Sequence, residues 1–248
     1  VISAVTGPTA PLPLTGATAT IHVNYSDAGS ADTQSALFTW DDNTTSTASC
    51  SAGTCSATHT FSATGVYHVT VTVTDDDGGS ASGDFQYVVV FDPNVGFVTG
   101  GGWITSPAGA YVADPTLTGK ANFGFVSKYV KGQQHPQGNT QFQFTAANFY
   151  FVSMSYDWLV IAGNKAQYKG LGTIANTDGT FGFLLTATDG DMKGGNAQGP
   201  DKFRIKIWNT DTGDVVYDNV LGTSDDIDSA NPQVLGGGSI QIQSPNSK

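Results

Sequence analysis

The chain has 248 residues and a formal net charge of −11, because its 21 acidic residues outnumber ten Lys and Arg. An acidic chain with no basic stripe repels phosphate groups, so we predict that it has no nucleic-acid partner. No apolar run reaches the length of a membrane-spanning helix, so membrane insertion is not expected. All the acidic residues are Asp, and the strong helix former Glu is absent, whereas Gly occurs 31 times. This composition predicts an all-β protein.

Charge divides the chain into two parts. Residues 1–92 contain nine Asp and no Lys or Arg, hence −9, and the remainder carries twelve Asp against ten basic residues, hence −2. The boundary coincides with FDPNVGF, where Pro93 and Asn94 interrupt the strand pattern. We therefore predict two domains, residues 1–92 and residues 93–248.

The first part contains strand patterns separated by turn signals. ATATIHVNYSD, from Ala17, alternates apolar and polar residues with a period of two, as a half-buried strand does. Cys50 and Cys55 lie in the short segment CSAGTC, where a disulfide would close the tip of a hairpin. A pair of cysteines alone cannot provide four zinc ligands, so we predict a disulfide and an oxidising, extracellular compartment.

A run of ordered motifs follows in this part: FTWDDNTTST and then HTFSATGVYHVTVTVTDDDGGS. In this order the motifs resemble the PKD (polycystic kidney disease) domain, and the resemblance covers about residues 3–92. It implies an immunoglobulin-like β-sandwich in a secreted or cell-surface protein, with a spacer, adhesion or carbohydrate-associated role. Trp40 is then a core residue, and His59 and Tyr67 are structural. The family's turn after the Trp is usually of the G-D-G kind, whereas this chain has Asp41, Asp42 and Asn43 there.

The resemblance also implies that loop carboxylates at one end of the sandwich can bind calcium, which takes oxygen ligands. The alternative is that these Asp residues only cap turns. Strand alternation places the second and fourth residues of TDDDG, Asp75 and Asp77, on the same side. The candidate ligands in this part are Asp27, Asp41, Asp42, Asp75 and Asp77.

The second part is rich in aromatic residues and again alternates with a period of two. Hairpin turns are predicted at residues 176–179 and at residues 209–214, between strand-like segments. In FRIKIW, Phe203, Ile205 and Ile207 share the buried face, while Arg204, Lys206 and Trp208 lie on the other. We predict a larger antiparallel β-sandwich or a jelly-roll-like domain.

Several stretches carry a second resemblance, to the domain that follows the conserved region in bacterial choice-of-anchor secreted proteins. It implies a secreted or surface location, but no reaction or substrate. These stretches span most of residues 97–243 and are FVTGGGWITSPAGAYVADP, GKANFGFVSKY, YDWLVIAG, AQYKGLGTI, LTATDGD, DKFRIKIW and VVYDN.

Clustered carboxylates again suggest calcium in the second part, with a turn as the equal alternative. Asn209–Asp214 only faintly echoes a calcium loop, and a hairpin turn explains it better. The candidate ligands in this part are Asp189, Asp191, Asp225, Asp226 and Asp228.

No catalytic motif is visible. A glycosidase would need two Asp carboxylates across a cleft, for which Asp157, Asp189 and Asp191 are available, and His22 and His135 have no evident partner. We therefore predict a non-catalytic secreted or surface protein with a structural, adhesive or assembly role. It would be stabilised by calcium and would bind surface proteins or copies of itself, associating into a chain or filament. The alternative is a module that binds polysaccharide, stacking sugars on exposed aromatics such as Trp158 and Trp208.

Overall fold

The computed structural model describes residues 1–27, 32–94, 96–130, 133, 135–192 and 199–243. Its contacts divide the chain into two compact units, Val1–Asp92 and Pro93–Lys248. Both units are built mainly from antiparallel strands, and the helical structure in the described residues is one 3-10 turn, Thr145–Ala147. The predicted all-β class is therefore confirmed. None of the described helical structure is long and apolar enough to cross a membrane.

The first unit is a two-sheet sandwich. One sheet has the strand order β1-β3-β6, and the other has the order β2-β8-β7-β4-β5. The β2–β8 pair is parallel, and the other pairs are antiparallel. Its strands are β1 Ile2–Thr6, β2 Leu12–Pro13, β3 Thr18–Tyr25, β4 Gln34–Trp40, β5 Thr44–Ser49, β6 Thr54–Thr60, β7 Gly65–Asp75 and β8 Ser80–Phe91.

Trp40 lies at the centre of the first unit's core, as predicted. Its side chain is 1% exposed, its ring stacks on His59 at 4.8 Å, and it meets the edge of Phe61 at 6.0 Å. The predicted disulfide joins Cys50 and Cys55 between the end of β5 and the start of β6. An aromatic core and a disulfide at one hairpin thus stabilise the sandwich.

The second unit is one large antiparallel sheet with the order β16-β15-β14-β13-β12-β11-β10-β9-β18, and β17 also pairs with β15. Successive strands are mostly neighbours, so the sheet is a meander and not the Greek-key arrangement of a jelly roll. Its strands are β9 Phe97–Ser106, β10 Gly119–Lys128, β11 Gln137–Phe144, β12 Phe149–Ala162, β13 Lys165–Ile174, β14 Thr177–Thr188, β15 Lys202–Asn209, β16 Val215–Asp218, β17 Gln233–Val234 and β18 Gly237–Gln243.

The sheet of the second unit folds over on itself to enclose its core. Phe123 on β10 and Phe203 on β15 are far apart in the strand order, yet their rings stack with centroids 4.0 Å apart. The inward residues of both strands belong to one cluster of buried aromatic and aliphatic side chains. The result is a sandwich made from a single folded sheet. It agrees with the predicted antiparallel β-sandwich and not with the jelly-roll alternative.

Both predicted hairpins are present. The first turn falls earlier than expected, at residues 175–176, because Ile174 already pairs with Thr177. Asn176 has a φ of 57°, a conformation that Asn tolerates better than most residues. The second turn joins β15 to β16, and the side chain of Asn209 accepts the backbone N–H groups of Asp211 and Thr212. The faint echo of a calcium loop there is a hairpin turn.

Two triple-glycine runs explain how β18 pairs with β9. A Cβ added to Gly102 would lie 2.2 Å from the carbonyl oxygen of Gly237, and a Cβ on Gly238 would lie 2.2 Å from that of Gly101. The ring of Trp103 lies over the neighbouring backbone of β18. Side chains at these positions would push the last strand away, so glycine is required for this pairing.

Candidate metal site

Three carboxylates meet where the β14–β15 connection faces the last strand. Asp189 follows β14 directly, Asp191 comes two residues later, and Asp201 directly precedes β15. Ligand oxygens of the three residues lie within 4.8 Å of one another. The hairpin register pairs Thr188 with Lys202, so Asp189 and Asp201 necessarily leave the sheet side by side. We call these three residues the carboxylate cluster.

Two members of the carboxylate cluster also close the edge of the sheet. The Ile240 N–H donates to Oδ2 of Asp201 at 2.7 Å, and the Ile242 N–H donates to Oδ2 of Asp189 at 2.8 Å. The other oxygen of Asp201 accepts the Gly190 N–H at 2.8 Å. An edge strand normally presents unpaired N–H groups to solvent. Here β18 is paired with β9 on one side and bonded to carboxylates on the other.

The electrostatics of the carboxylate cluster are unfavourable without a cation. Asp189 is 4% exposed, and burial raises the pKa of its carboxyl. The carboxylate of Asp191 raises that pKa further, while the hydrogen bond from the Ile242 N–H lowers it. A raised pKa means that the folded protein disfavours the ionised form of Asp189. A bound cation would reverse this penalty.

The donor set fits a hard cation. All three side chains offer oxygen, and no His or Cys belongs to the group. Carboxylate oxygens are the ligands that calcium and magnesium use, whereas zinc prefers nitrogen and sulfur. A carboxylate has about four lone-pair positions, so oxygens that accept backbone N–H groups can still coordinate an ion. The carboxylate cluster can therefore hold a metal ion.

Sequence reasoning named Asp189 and Asp191 but missed Asp201. The signal was present, because Asp201 stands directly before FRIKIW, and FRIKIW pairs with the strand that Asp189 ends. The register of that hairpin would have placed the two residues together. Within the described ranges, this is the one group of three or more His, Cys, Asp or Glu side chains close enough to hold an ion.

The other predicted ligands of the second unit are used differently. Asp225 accepts hydrogen bonds from Arg204 and Lys206, and Asp228 pairs with Lys165 at 2.8 Å. Oδ1 of Asp226 accepts the backbone N–H groups of residues 228 and 229. These three Asp residues therefore stabilise the loop that carries them. Within the described residues, they do not form a second group of side chains close enough to hold an ion.

The predicted ligands of the first unit are spread over two regions. Asp27 and Asp75 line one shallow cleft together with Tyr25 and Gln34. Oδ1 of Asp75 accepts the Gly79 N–H at 2.7 Å. β7 ends at Asp75, so strand alternation does not extend to Asp77, which lies exposed in the turn that follows. Of Asp75 and Asp77, only Asp75 lines the cleft.

Asp41 and Asp42 lie in the turn after Trp40. Oδ2 of Asp42 contacts Nε2 of His59 at 2.6 Å, and its Oδ1 accepts the Thr44 hydroxyl at 2.6 Å. Burial raises the pKa of the Asp42 carboxyl, but the hydrogen bonds from Thr44 and His59 outweigh burial and lower that pKa. Oδ2 of Asp41 lies 3.4 Å from the His68 backbone nitrogen. These contacts fix the turn after Trp40 against β6 and β7.

The two tryptophans predicted to bind ligand lie on the outward side of the second unit's sheet. Trp158 is only 6% exposed and offers no free ring face for a sugar. Trp208 is half-buried, with its ring over Gly182 and the amine of Lys169 5.8 Å from its centroid. Neither forms an open aromatic platform.

Arg204 was expected on the exposed face of its strand, but it is 1% exposed. Its guanidinium donates two hydrogen bonds to Asp218, at 3.0 and 2.7 Å, and one to Asp225 at 2.9 Å. The carbonyl oxygen of Ser224 accepts another. Burial alone would lower the pKa of the guanidinium, but Asp218 and Asp225 raise it. The loop that carries Ser224 and Asp225 thus covers the outward side of β15.

The catalytic candidates do not form a constellation. Asp157 uses its carbonyl oxygen to contact Nδ1 of His135 at 3.0 Å, and His22 lies exposed on β3. Asp189 and Asp191, the other candidates, belong to the carboxylate cluster, in which Oδ2 of Asp189 accepts the Ile242 N–H.

Comparison with known proteins bears on the first unit. The PKD domain family model matches residues 8–90, nearly the whole of the β-sandwich described above. Neither curated proteins nor solved structures give a match to the chain. The family match ends at residue 90, so the resemblance of the second unit to a domain of choice-of-anchor proteins stays a prediction. The first unit, with its Trp40 core and immunoglobulin-like sandwich, is a PKD domain.

Proposed function

We propose that the protein is a non-catalytic structural or adhesive module of the extracellular space or cell surface, and that calcium at the carboxylate cluster stabilises its second unit. The PKD domain supports the location and the class of role. The disulfide Cys50–Cys55 supports an oxidising compartment. The observation that carries the proposal is the bonding of Asp189 and Asp201 to the N–H groups of β18.

Calcium has a mechanical consequence at this position. Because the same carboxylates bind β18 and face Asp191, an ion held by them would tie the last strand to the β14–β15 hairpin. It would also offset the burial and the repulsion from Asp191 that together disfavour the ionised form of Asp189. A surface module that bears load outside the cell, where calcium is abundant, would gain stability in this way.

Substitution of Asp191 tests this proposal, because its effect on the free energy of unfolding should change sign when calcium is added. Without metal, Asp191→Asn removes a like charge beside Asp189, so we expect the free energy of unfolding to rise slightly. With calcium, wild type should gain about 2.7 kcal/mol when the ion is at about one hundred times its Kd, and the variant should gain much less. Thermal unfolding with calcium and with a chelator measures both effects.

Asp211→Asn is the matched control, because Asp211 lies exposed in a hairpin turn outside the carboxylate cluster. It should leave the calcium response of wild type unchanged. A wild-type protein whose melting temperature is the same in calcium and in chelator would contradict the calcium part of the proposal.

Other copies of the chain or surface proteins are the partners that we propose for this module. Strand β5 is the supporting feature, because it lies at the end of its sheet and its sequence TTSTAS carries no charge. Exposed uncharged edge strands readily pair with further strands, and a lysine blunts them. Sedimentation at rising concentration should show association that Thr47→Lys reduces, and a monomer throughout would contradict the assembly role.

A further inference from the structure

The outward side of the second unit's sheet has a covered part and an uncovered part. Over β15, the loop with Ser224 and Asp225 buries Arg204. At the other end, the outward residues of β18, β9, β10 and β11 alternate with the buried ones and are exposed or half-buried. We call the outward side of these four strands, with the adjoining start of β12, the amide face.

The amide face carries a row of side chains that crosses the strands. The strand pairings place Trp103, Asn122, Gln143 and Tyr150 opposite one another on successive strands. The two amides are exposed, and the two aromatic residues at the ends are half-buried. Three strand spacings of about 4.8 Å separate the two ends, so the row spans roughly 14 Å.

A shallow depression lies beside this row. The next set of paired residues includes Gly101, Gly124 and Gln141, so two neighbouring strands carry no side chain there. A Cβ added to Gly124 would meet nothing within 4 Å, which means that the space above it is open. Beyond the glycines, the half-buried Thr99 and Val126 lie between the exposed amides of Asn139 and Gln241, and these four residues form the opposite side. The depression therefore has amide groups on both sides.

The charge of the amide face contrasts with the rest of the protein. The chain has 21 acidic residues, but none lies on the outward side of the described residues of these strands. Its charged residues are Lys120 and Lys128, near the two ends of β10. The centre offers uncharged donors and acceptors with aromatic rings at its margin. That chemistry matches sugar hydroxyls, which pair with amides, and sugar rings, which stack on aromatic side chains.

We propose that the amide face binds a neutral polysaccharide chain, which crosses β9 to β12 along the glycine depression between the amides. Tyr150 contacts a sugar ring, and Asn122, Gln141 and Gln143 bind hydroxyl groups. Trp103 bounds the other end of the row, because its ring lies on the Gly236–Gly237 backbone and the Lys120 amine lies 5.0 Å from its centroid. This site is separate from the carboxylate cluster and uses neither Trp158 nor Trp208. The neutrality of its centre favours an uncharged polymer over an anionic one.

Affinity electrophoresis of the full chain tests the proposal, with hydroxyethylcellulose, dextran or galactomannan in the gel and alginate as an anionic polymer. We expect at least one neutral polymer to retard wild type. Loss of two neutral hydrogen bonds in the double variant Asn122→Ala and Gln143→Ala should weaken binding about tenfold. Gly124→Ile should abolish binding by filling the depression, and it should leave the melting temperature near that of wild type.

Trp208→Ala is the matched control for Tyr150→Ala, because both are half-buried aromatic residues on the outward side of the same sheet and Trp208 lies outside the amide face. Only Tyr150→Ala should lose retardation. The proposal is overturned if no neutral polymer retards wild type, if alginate alone does, or if the amide-face variants bind as wild type does. It is also overturned if Gly124→Ile abolishes self-association and leaves polymer binding intact. The calcium response should be unchanged in all amide-face variants, so this test is independent of the calcium proposal.

Discussion

Arg204→Met is expected to lower the free energy of unfolding of the second unit by about 3–5 kcal/mol, because it leaves buried carboxylate charge without its partner. Asp218 is 1% exposed and receives two hydrogen bonds from the guanidinium. Arg204→Lys should be intermediate, since an ammonium group cannot reproduce the paired hydrogen bonds. Denaturant unfolding followed by the second unit's aromatic fluorescence measures the loss.

Lys165→Ala provides the contrast for Arg204. It breaks the ion pair with Asp228, in which the lysine side chain is 33% exposed and the Asp side chain 79%. Exposed pairs contribute less than about 1 kcal/mol, so this variant should unfold almost as wild type does. Equal effects of the two substitutions would mean that the Arg204 cluster is hydrated in solution and that the 224–225 loop does not cover it.

Asp201→Ala is expected to destabilise the second unit by about 2–3 kcal/mol, because it removes the acceptor of two backbone N–H groups. One belongs to Gly190 in the β14–β15 connection and the other to Ile240 in β18. Asp201→Asn keeps one acceptor oxygen and should lose about half as much. Chemical denaturation in the presence of a chelator isolates the loss of these hydrogen bonds, because in calcium the substitution also removes a proposed ligand of the ion.

The control for Asp201 is Asp211→Ala, in the exposed turn between β15 and β16. Surface substitutions of this kind change stability by less than about 0.5 kcal/mol. If Asp201→Ala were as mild as the control, the N–H groups of β18 would be hydrated and not held by carboxylates, and the closure of the sheet described above would be wrong.

Much of the fold follows from local sequence features. The period-two alternation of FRIKIW predicts which residues face the core, and Phe203, Ile205 and Ile207 are buried as expected. The CSAGTC pair predicts the disulfide, and the ordered motifs around Trp40 predict the PKD domain. These features succeed because a strand, a hairpin turn and a short covalent loop depend on residues that are near one another in the chain.

The predictions that the structure corrects share a different cause, which is contact between residues far apart in the chain. Alternation assigns Arg204 to the second face of its strand, and Trp158 is predicted to be exposed, but neither prediction reveals that this side of the sheet is also covered. The covering of Arg204 comes from a loop about twenty residues later, and the binding of Asp201 to Ile240 joins residues 39 apart. Such contacts depend on how a sheet folds over itself. Clusters such as Asp225, Asp226 and Asp228 look like ligands in sequence, because loop-organising and metal-binding carboxylates have the same composition.

Hydrogen exchange at the amides of Ile240 and Ile242 tests the central claim most directly, because both amides donate to the carboxylates proposed to hold calcium. Calcium should slow the exchange of both amides in wild type, and this slowing should be much smaller in Asp191→Asn. Exchange at Val71, in the core of the first unit, serves as the internal reference and should not respond. Rates at Ile240 and Ile242 that are the same with calcium and with chelator would contradict the account.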